Sequence, residues 1–477
     1  MPATGSRERT RSLTSAAPPR SLLLRDRDFR SLWIGATTGK YGAAVTSVAL
    51  PLIAVTLLHA STLQVGLLTA ATWAPWLLIG LPAGAWVDRL PSRPVMLVSD
   101  AAALLLFVSI PVSAWLGVLS IGSLLVTALL VGTATVFFQT AYTTLLPRLI
   151  PLADRPEANS KLHGSESAAQ LAGSGSGGFL VQALGAANGM FVTAATFAVS
   201  FVCVLRIRHR EPDRAPRRTA HPADDREPER GATHAERPAA DREPAPAPQP
   251  PADRGTHPAP ARRPRGALAR EIAVGLRLTF RDPYLRATTV NGAAANLALM
   301  AYQSVVVVFL VREVHLAAWT VGVLMTAGGF GGIAGAFAAR RLSTRLGTAR
   351  ALLLFDGVVP ALALLIPLTT PGAGLALYVL GSGAVSFGVV AGNTVLATFR
   401  QAYVPTDLLG RISASKNFVV FGTLPLGAVL GGALGELLGN RPALWIAVAT
   451  LPLCALPLWL SPVRTRRDLP TRPAAAH

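Results

Sequence analysis

The sequence predicts an all-α integral membrane protein of twelve transmembrane helices, arranged as two six-helix, pseudo-symmetric halves. Three observations lead there. Of the 477 residues, 51% are hydrophobic and only 14% charged, well below the roughly 25% charged residues of a soluble domain. A bilayer core about 30 Å thick needs roughly 20 apolar residues per helical span, and the chain offers twelve such stretches. The second half also repeats the first at a nearly constant offset.

In chain order, residues 1–30 form a hydrophilic, Arg-rich tail. The first apolar stretch is too long for a signal-peptide core and lacks a cleavage site, so it is read as retained. Spans are expected over 31–58, 64–87, 94–115, 119–144, 165–186 and 188–206, making an N-terminal bundle of 31–206. Residues 207–265 come next, and between Arg208 and Arg265 there is no Leu, Val, Ile, Met, Phe, Tyr or Trp. Such a segment cannot bury enough apolar surface to order itself and is read as a disordered cytoplasmic linker. Its His209, His221, His234 and His257 are irregularly spaced and are read as solvated rather than metal-binding. Over 266–286, Leu268, Ile272, Leu276 and Phe280 recur every four residues among Arg270, Arg277 and Arg281, the pattern of an amphipathic helix on a membrane surface. Six further spans follow over 287–311, 319–339, 350–369, 374–399, 413–436 and 442–461, a C-terminal bundle of 287–461 with a cytoplasmic tail at 462–477. Cys203 and Cys454 fall in the last span of each half and are read as packing residues.

Charge sets the orientation. Loops near residues 60, 117, 187 and 371 carry no Lys or Arg, and Lys40, Arg312 and Arg441 are the only ones of the 44 basic residues away from a single side. The positive-inside rule then puts both termini in the cytoplasm of a multi-pass protein. High Arg over Lys usage suggests a bacterial cell, hence its inner membrane. Because the basic excess sits in short loops between apolar stretches, nucleic acid is not an expected partner; the lipid bilayer is.

The repeat is specific. Arg27-Asp28 meets Arg281-Asp282, and Gln139-Thr140 meets Asn393-Thr394, at an offset of 254; Pro151, Gly173 and Gly177 meet Pro405, Gly427 and Gly431 in the same register. Gly66, Arg89-Leu90 and Asp100 meet Gly322, Arg345-Leu346 and Asp356 at an offset of 256. Parallel repeats related by an axis along the membrane normal are a transporter architecture, with the substrate near the midplane where the halves meet.

The loop after the second span reads Gly84-Ala-Trp-Val-Asp88-Arg89-Leu-Pro-Ser-Arg93 and resembles the loop signature of the major facilitator superfamily. A rarer pattern is Arg400-Gln401-Ala-Tyr-Val-Pro405-Thr-Asp407-Leu-Leu-Gly410-Arg411-Ile-Ser-Ala414, followed by Gly422-Thr-Leu-Pro425-Leu-Gly427. It resembles the drug:proton antiporter branch of macrolide, multidrug and siderophore exporters, over nearly all of the chain except linker and tails. The resemblance implies that Asp88 latches onto the start of the eleventh helix, around Arg411 to Ser415, to close an inside gate, with Arg89 and Arg93 orienting the acid. This chain departs from the pattern at Pro91 and Ser92, at Gly173-Ser174 where Gly-Pro is usual, and at Gln139 where many relatives carry an acid. Those departures bear on proton coupling.

Lys40 lies about ten residues into the first span, where a lone cation costs about 2.5 to 3.5 kcal/mol on insertion scales. On the repeat it corresponds to Asn296, as Gln139 does to Asn393. The resemblance places these helices around a central cavity, so Lys40, Gln139, Asn296, Gln303 and Asn393 form the candidate substrate shell; interhelical hydrogen bonding is the plainer role for each amide. Glu166, Asp100 and Asp356 are candidates for proton coupling, with a helix–loop contact near the cytoplasmic surface expected for the two aspartates. Gly173, Gly177, Gly427 and Gly431 recur at four-residue spacing, and the resemblance makes them a sliding surface between the halves. Trp73 and Trp76 flank Pro75 in the second span, where packing is expected.

There is no phosphate-cradling glycine loop, no nucleophile with a paired base and no metal-ligand cluster, so neither an enzyme nor a cofactor is expected. The expectation is a monomeric secondary transporter exporting small amphipathic molecules, with an ion gradient, the proton's, as its energy source. A facilitator or importer of the same fold, or a membrane scaffold or sensor acting through the linker, stands as the alternative.

Overall fold

The computed structural model describes residues 22–87, 90–208 and 267–471, and every regular element among them is helical. The chain divides into two units, residues 1–209 with 271–477, and residues 210–270. Within the first unit, α1 is Arg27–Thr56; α2 is Thr62–Leu78 continued by Gly80–Val87; α3, α4, α5 and α6 are Ser92–Trp115, Ile121–Leu149, Arg155–Leu184 and Met190–Arg206. In the C-terminal half α7 is Pro283–Arg312, α8 Ala318–Leu346, α9 Thr348–Leu368, α10 Leu375–Tyr403, α11 Thr406–Leu438 and α12 Asn440–Trp459. The linker expected over 207–265 lies, beyond Arg208, outside the described residues; a helix occupies Ala267–Arg281.

Nine of the described helices are long and apolar enough to cross a bilayer on their own. The other three fill the second, fifth and sixth places. α2 is interrupted at Ile79, where the backbone leaves helical geometry although the Ile79 amide still donates to the Pro75 carbonyl at 2.9 Å. α5 is dominated by Ser, Gly and charged residues along its first two thirds, and α6 has only 17 residues. In α9 the winding changes from α (Thr348–Leu353) to a π-turn (Leu354–Val358) and then to a tighter 3₁₀ coil (Val359–Leu368).

Helix starts define the repeat more sharply than residue identity did. Asp26 accepts from the amides of Asp28 and Phe29, and Asp282 accepts from those of Tyr284 and Leu285, each at 2.9 Å. The structural counterpart of Asp282 is therefore Asp26, at offset 256, and not Asp28, because the N-cap carboxylate is set by helix geometry. α7 also begins at Pro283, inside the segment expected to continue the amphipathic helix. The same offset recurs at the far ends of these helices, where His59 and His315 both have left-handed backbones with φ of 51° and 57°.

Basic loops mark one end of the bundle and the loops near 60, 117, 187 and 371 the other, here the basic and neutral ends. Among the described residues one apolar core spans both halves toward the neutral end, holding Val48, Leu52 and Ile53 together with Val305, Phe309 and Leu310. Toward the basic end each half has its own, around Phe29, Met96 and Tyr142 in one and Leu352, Phe355 and Phe399 in the other. The segment after α12, expected as a tail, docks on the α8–α9 turn as far as it is described. The Thr348 amide donates to Asp468 Oδ1 (2.9 Å), Ala349 to the Arg467 carbonyl (3.1 Å), and Val463 and Leu469 are buried.

Candidate functional site

Each half encloses a cavity lined by repeat-related residues. In the N-terminal half Lys40 (α1), Asp100 (α3), Gln139 (α4) and Glu166 (α5) line one space of about 90 Å³. Asp100 is 2% exposed, and Ser200 of α6 donates its hydroxyl to Asp100 Oδ2 at 2.7 Å. The contact is thus between two helices, in place of the helix–loop contact expected from sequence. Among the described residues Lys40 makes no hydrogen bond or ion pair. Glu166 Oε2 lies 3.7 Å from His163 Nδ1, one turn back. Two carboxylates and a lysine thus share the wall of one small space.

The C-terminal counterpart is larger, about 350 Å³, and Asn296 (α7), Asp356 (α9), Asn393 (α10) and Lys416 (α11) line it. Asp356 sits in the π-turn of α9, an insertion that re-aims a side chain and is frequent at functional sites. Asn291 Nδ2 donates to Asp356 Oδ2 at 2.7 Å, while the buried Asn291 Oδ1 has no donor. Gly392 faces Asp356 Oδ1 so closely that a Cβ there would collide with it. Helix–helix bonding and cavity lining coexist at Asn296, whose Nδ2 also reaches the Val420 carbonyl at 3.4 Å. Gln303, grouped with these residues from sequence, is exposed on α7 and lines neither cavity, because it lies almost two turns beyond Asn296.

Of the gate residues, Asp88, Arg89 and the Arg411 side chain lie outside the described residues. Arg93 donates to the carbonyls of Val204 (Nε, 3.2 Å) and Leu205 (2.6 Å), closing the C-terminus of α6, where unsatisfied carbonyls favour a cation. Gly84 faces open space.

The glycines are redistributed. A Cβ on Gly173 or Gly177 would meet the carbonyls of Tyr41 and Val45 on α1, at 2.6 and 3.0 Å. One on Gly427 or Gly431 would meet Leu297 and Ala301 on α7, with Cα distances of 2.9 and 2.6 Å. All four close helix pairs inside a half, not between halves. The junction uses other glycines: Gly66 of α2 stacks on Gly432 of α11, and Gly322 of α8 on Gly178 of α5, where added Cβ atoms would lie 2.8 and 3.0 Å from the facing Cα. These two contacts are themselves repeat-related, Gly66 matching Gly322 and Gly178 matching Gly432.

The neutral end is clasped. Arg312 donates to the Ala60 carbonyl at 2.6 Å, Thr62 bonds Asn440 Oδ1 at 2.7 Å, and Arg441 pairs with Glu313 at 3.4 Å. Arg312 and Arg441, two of the three cations that broke the charge rule, are thereby accounted for. Farther along, Trp76 meets Phe421 with ring centroids 5.7 Å apart, and α5 and α8 leave a cavity of about 440 Å³ between Leu171 and Phe330. Trp76 thus touches a residue that lines the C-terminal cavity.

Sequence reasoning missed Ser200, Asn291 and Lys416. Lys416 carried the signal that singled out Lys40, a cation inside an expected span. Ser200 and Asn291 carried none, since a Ser or Asn in a span becomes informative only once its partner is known.

A sequence profile described as Major Facilitator Superfamily matches residues 32–424. Among curated proteins the chain is 26% identical to the multidrug efflux pump Tap of Mycolicibacterium fortuitum, covering 92% of this chain and 96% of that one. It is 25% identical to the MFS-type transporter y4rN of Sinorhizobium fredii, over 85% and 87%. Among solved structures it resembles the nucleoside transporter NupG (TM-score 0.66, 10% identity, 90% and 98% covered). It also resembles a bacterial homologue of the lysosomal transporter Spinster in an inward-facing, occupied conformation (TM-score 0.65, 15% identity, 95% and 99% covered). At these identities the structures share the fold.

Proposed function

The chain belongs to the major facilitator superfamily, a family of membrane transporters, and from that premise we propose that it is a secondary active exporter of small amphipathic molecules, driven by exchange for protons. The observation that carries this reading is the pair of repeat-related cavities that differ in size and charge. The C-terminal one is the larger, and the N-terminal one brings two carboxylates and a lysine to a single wall. Substrate is assigned to the first, and proton exchange to Asp100 and Glu166 in the second, with Lys40 as the charge that their protonation releases or engages. Export as the direction rests on the efflux relative at 26% identity.

A shared core at the neutral end and separate cores at the basic end favour a state open toward the basic side, which the charge distribution makes the cytoplasm. Alternating access then requires the Gly66–Gly432 and Gly178–Gly322 contacts to part while the basic end closes, and Asp88 would latch that closure.

Dye accumulation in cells with and without the protein tests the reading. Expression should lower accumulation, and collapsing the proton gradient should restore it. Accumulation that is raised by the protein, or lowered regardless of the gradient, would reject a proton-driven exporter.

A further inference from the structure

The C-terminal cavity has unmet hydrogen-bonding demands of opposite kind on its wall. Around Asp356 the unmet groups are acceptors: Asp356 Oδ1 has no donor, and the buried Asn291 Oδ1 has none either. At Lys416 the unmet group is a donor. Among the described residues its ammonium makes no hydrogen bond or ion pair, and Arg400 of α10, likewise without one there, adds to the positive field at Lys416. Lys416 does not reach Asp356, so the two do not cancel. The rest of the lining mixes Leu299, Val389, Val420 and Phe421 with the amides of Asn296, Asn393 and Asn417.

Charged and polar groups in a partly desolvated wall are costly where their hydrogen-bonding capacity is unmet, and one molecule could relieve both ends. We propose that the cavity binds a zwitterionic amphiphile, its amine toward Asp356 and Asn291 and its carboxylate or other acid toward Lys416, with Arg400 strengthening the positive field. This deepens the export reading by naming the substrate class and rests on it for the transport step alone. An N–H donor is the partner that both orphaned oxygens at the first end accept, and a planar acid is what Lys416 lacks. A simple hydrophobic cation would answer Asp356 and leave Lys416 facing it as a like charge.

The test uses the purified full-length chain in detergent and three xanthene dyes. One carries aromatic amines and a free carboxylate; the second is its methyl ester; the third, fluorescein, keeps the carboxylate and lacks the amines. Fluorescence anisotropy titration needs no ion gradient and so reads the cavity alone. The zwitterion should bind about tenfold tighter than either relative, the size expected for one charge-assisted contact. Lys416→Gln should bring acid and ester together, Lys416→Arg should retain the preference, and Asp356→Asn should erase the advantage over fluorescein. Equal binding of acid and ester by the natural chain, no binding of any dye, or a preference that survives Lys416→Gln overturns the proposal. If Lys416→Gln does not fold, the natural chain and Lys416→Arg still decide it. Selective binding combined with cellular accumulation that ignores the protein would instead sink export and leave the cavity assignment standing.

Discussion

The two halves place polar side chains at the same heights of the same helices and then use them differently. Lys40 and Asn296, Asp100 and Asp356, Gln139 and Asn393 are repeat partners, and each pair lines the cavity of its own half. In the N-terminal half the aspartate is held by a hydroxyl across α3 and α6, in a space of about 90 Å³. In the C-terminal half it is held by an amide from α7, on a π-turn, in a space of about 350 Å³. Even the lysine moves, from α1 to α11. A duplicated backbone therefore settles where polar groups can be tolerated, and their identity divides the labour between a small ionic site and a larger binding site.

The largest expected effect tests what the halves share. Gly66→Val and Gly178→Val push a side chain into facing backbone across the junction, and each should cost at least the roughly 1–3 kcal/mol of core overpacking. Both should open the neutral end to thiol labels and stop transport. Gly427→Val, which strains one half internally, should instead lower the yield of folded protein without favouring that labelling; identical behaviour of all three would break the distinction. Next come the aspartate partners. Ser200→Ala and Asn291→Leu each leave a carboxylate without its donor, a loss of about 1–3 kcal/mol read as thermal unfolding in detergent. Ser200→Ala should impair gradient-driven export while sparing dye affinity, and Asn291→Leu should weaken dye affinity first. The same phenotype from both would dissolve the division of labour. Arg312→Gln removes the donor to the Ala60 carbonyl and should weaken the clasp by about 1.5–3 kcal/mol, less whatever Gln recovers, seen as faster labelling near residue 60. Arg441→Gln is the smallest, since an exposed pair such as Arg441–Glu313 contributes about 0.2–1 kcal/mol; a larger effect than that of Arg312→Gln would reverse the assignment of the clasp.

The helical segments and their order are readable in the chain, whereas Lys40, Gln139, Asn296 and Asn393, which the sequence groups around one central cavity, are divided by the structure between two. Span length, loop charge and a 255-residue echo are local or one-dimensional properties, and Lys40, Asp100, Gln139, Glu166, Asn296, Asp356 and Asn393 all stood out as polar groups in apolar stretches. Gln303 stood out for the same reason and lines neither cavity: seven residues beyond Asn296 it keeps the same helix face but lies about 10 Å farther along, and a pattern in the chain does not say where a cavity sits. The glycines show the same limit. α11 carries Gly427 and Gly431 on the face toward α7 and Gly432 on the face toward α2, and a sequence ruler cannot tell these faces apart.

By itself, the sequence determined that this chain lives in a bilayer, that it folds as a doubled set of six helices, and which end carries the positive loops. Each follows from transfer free energies and charge placement along the chain. Only the tertiary structure decided which glycines let the halves touch, that Ser200 and Asn291 hold the two aspartates, and that the two cavities differ in size. Those outcomes depend on distances of a few ångströms between residues 65 or more positions apart, and such distances exist only after the helices have packed.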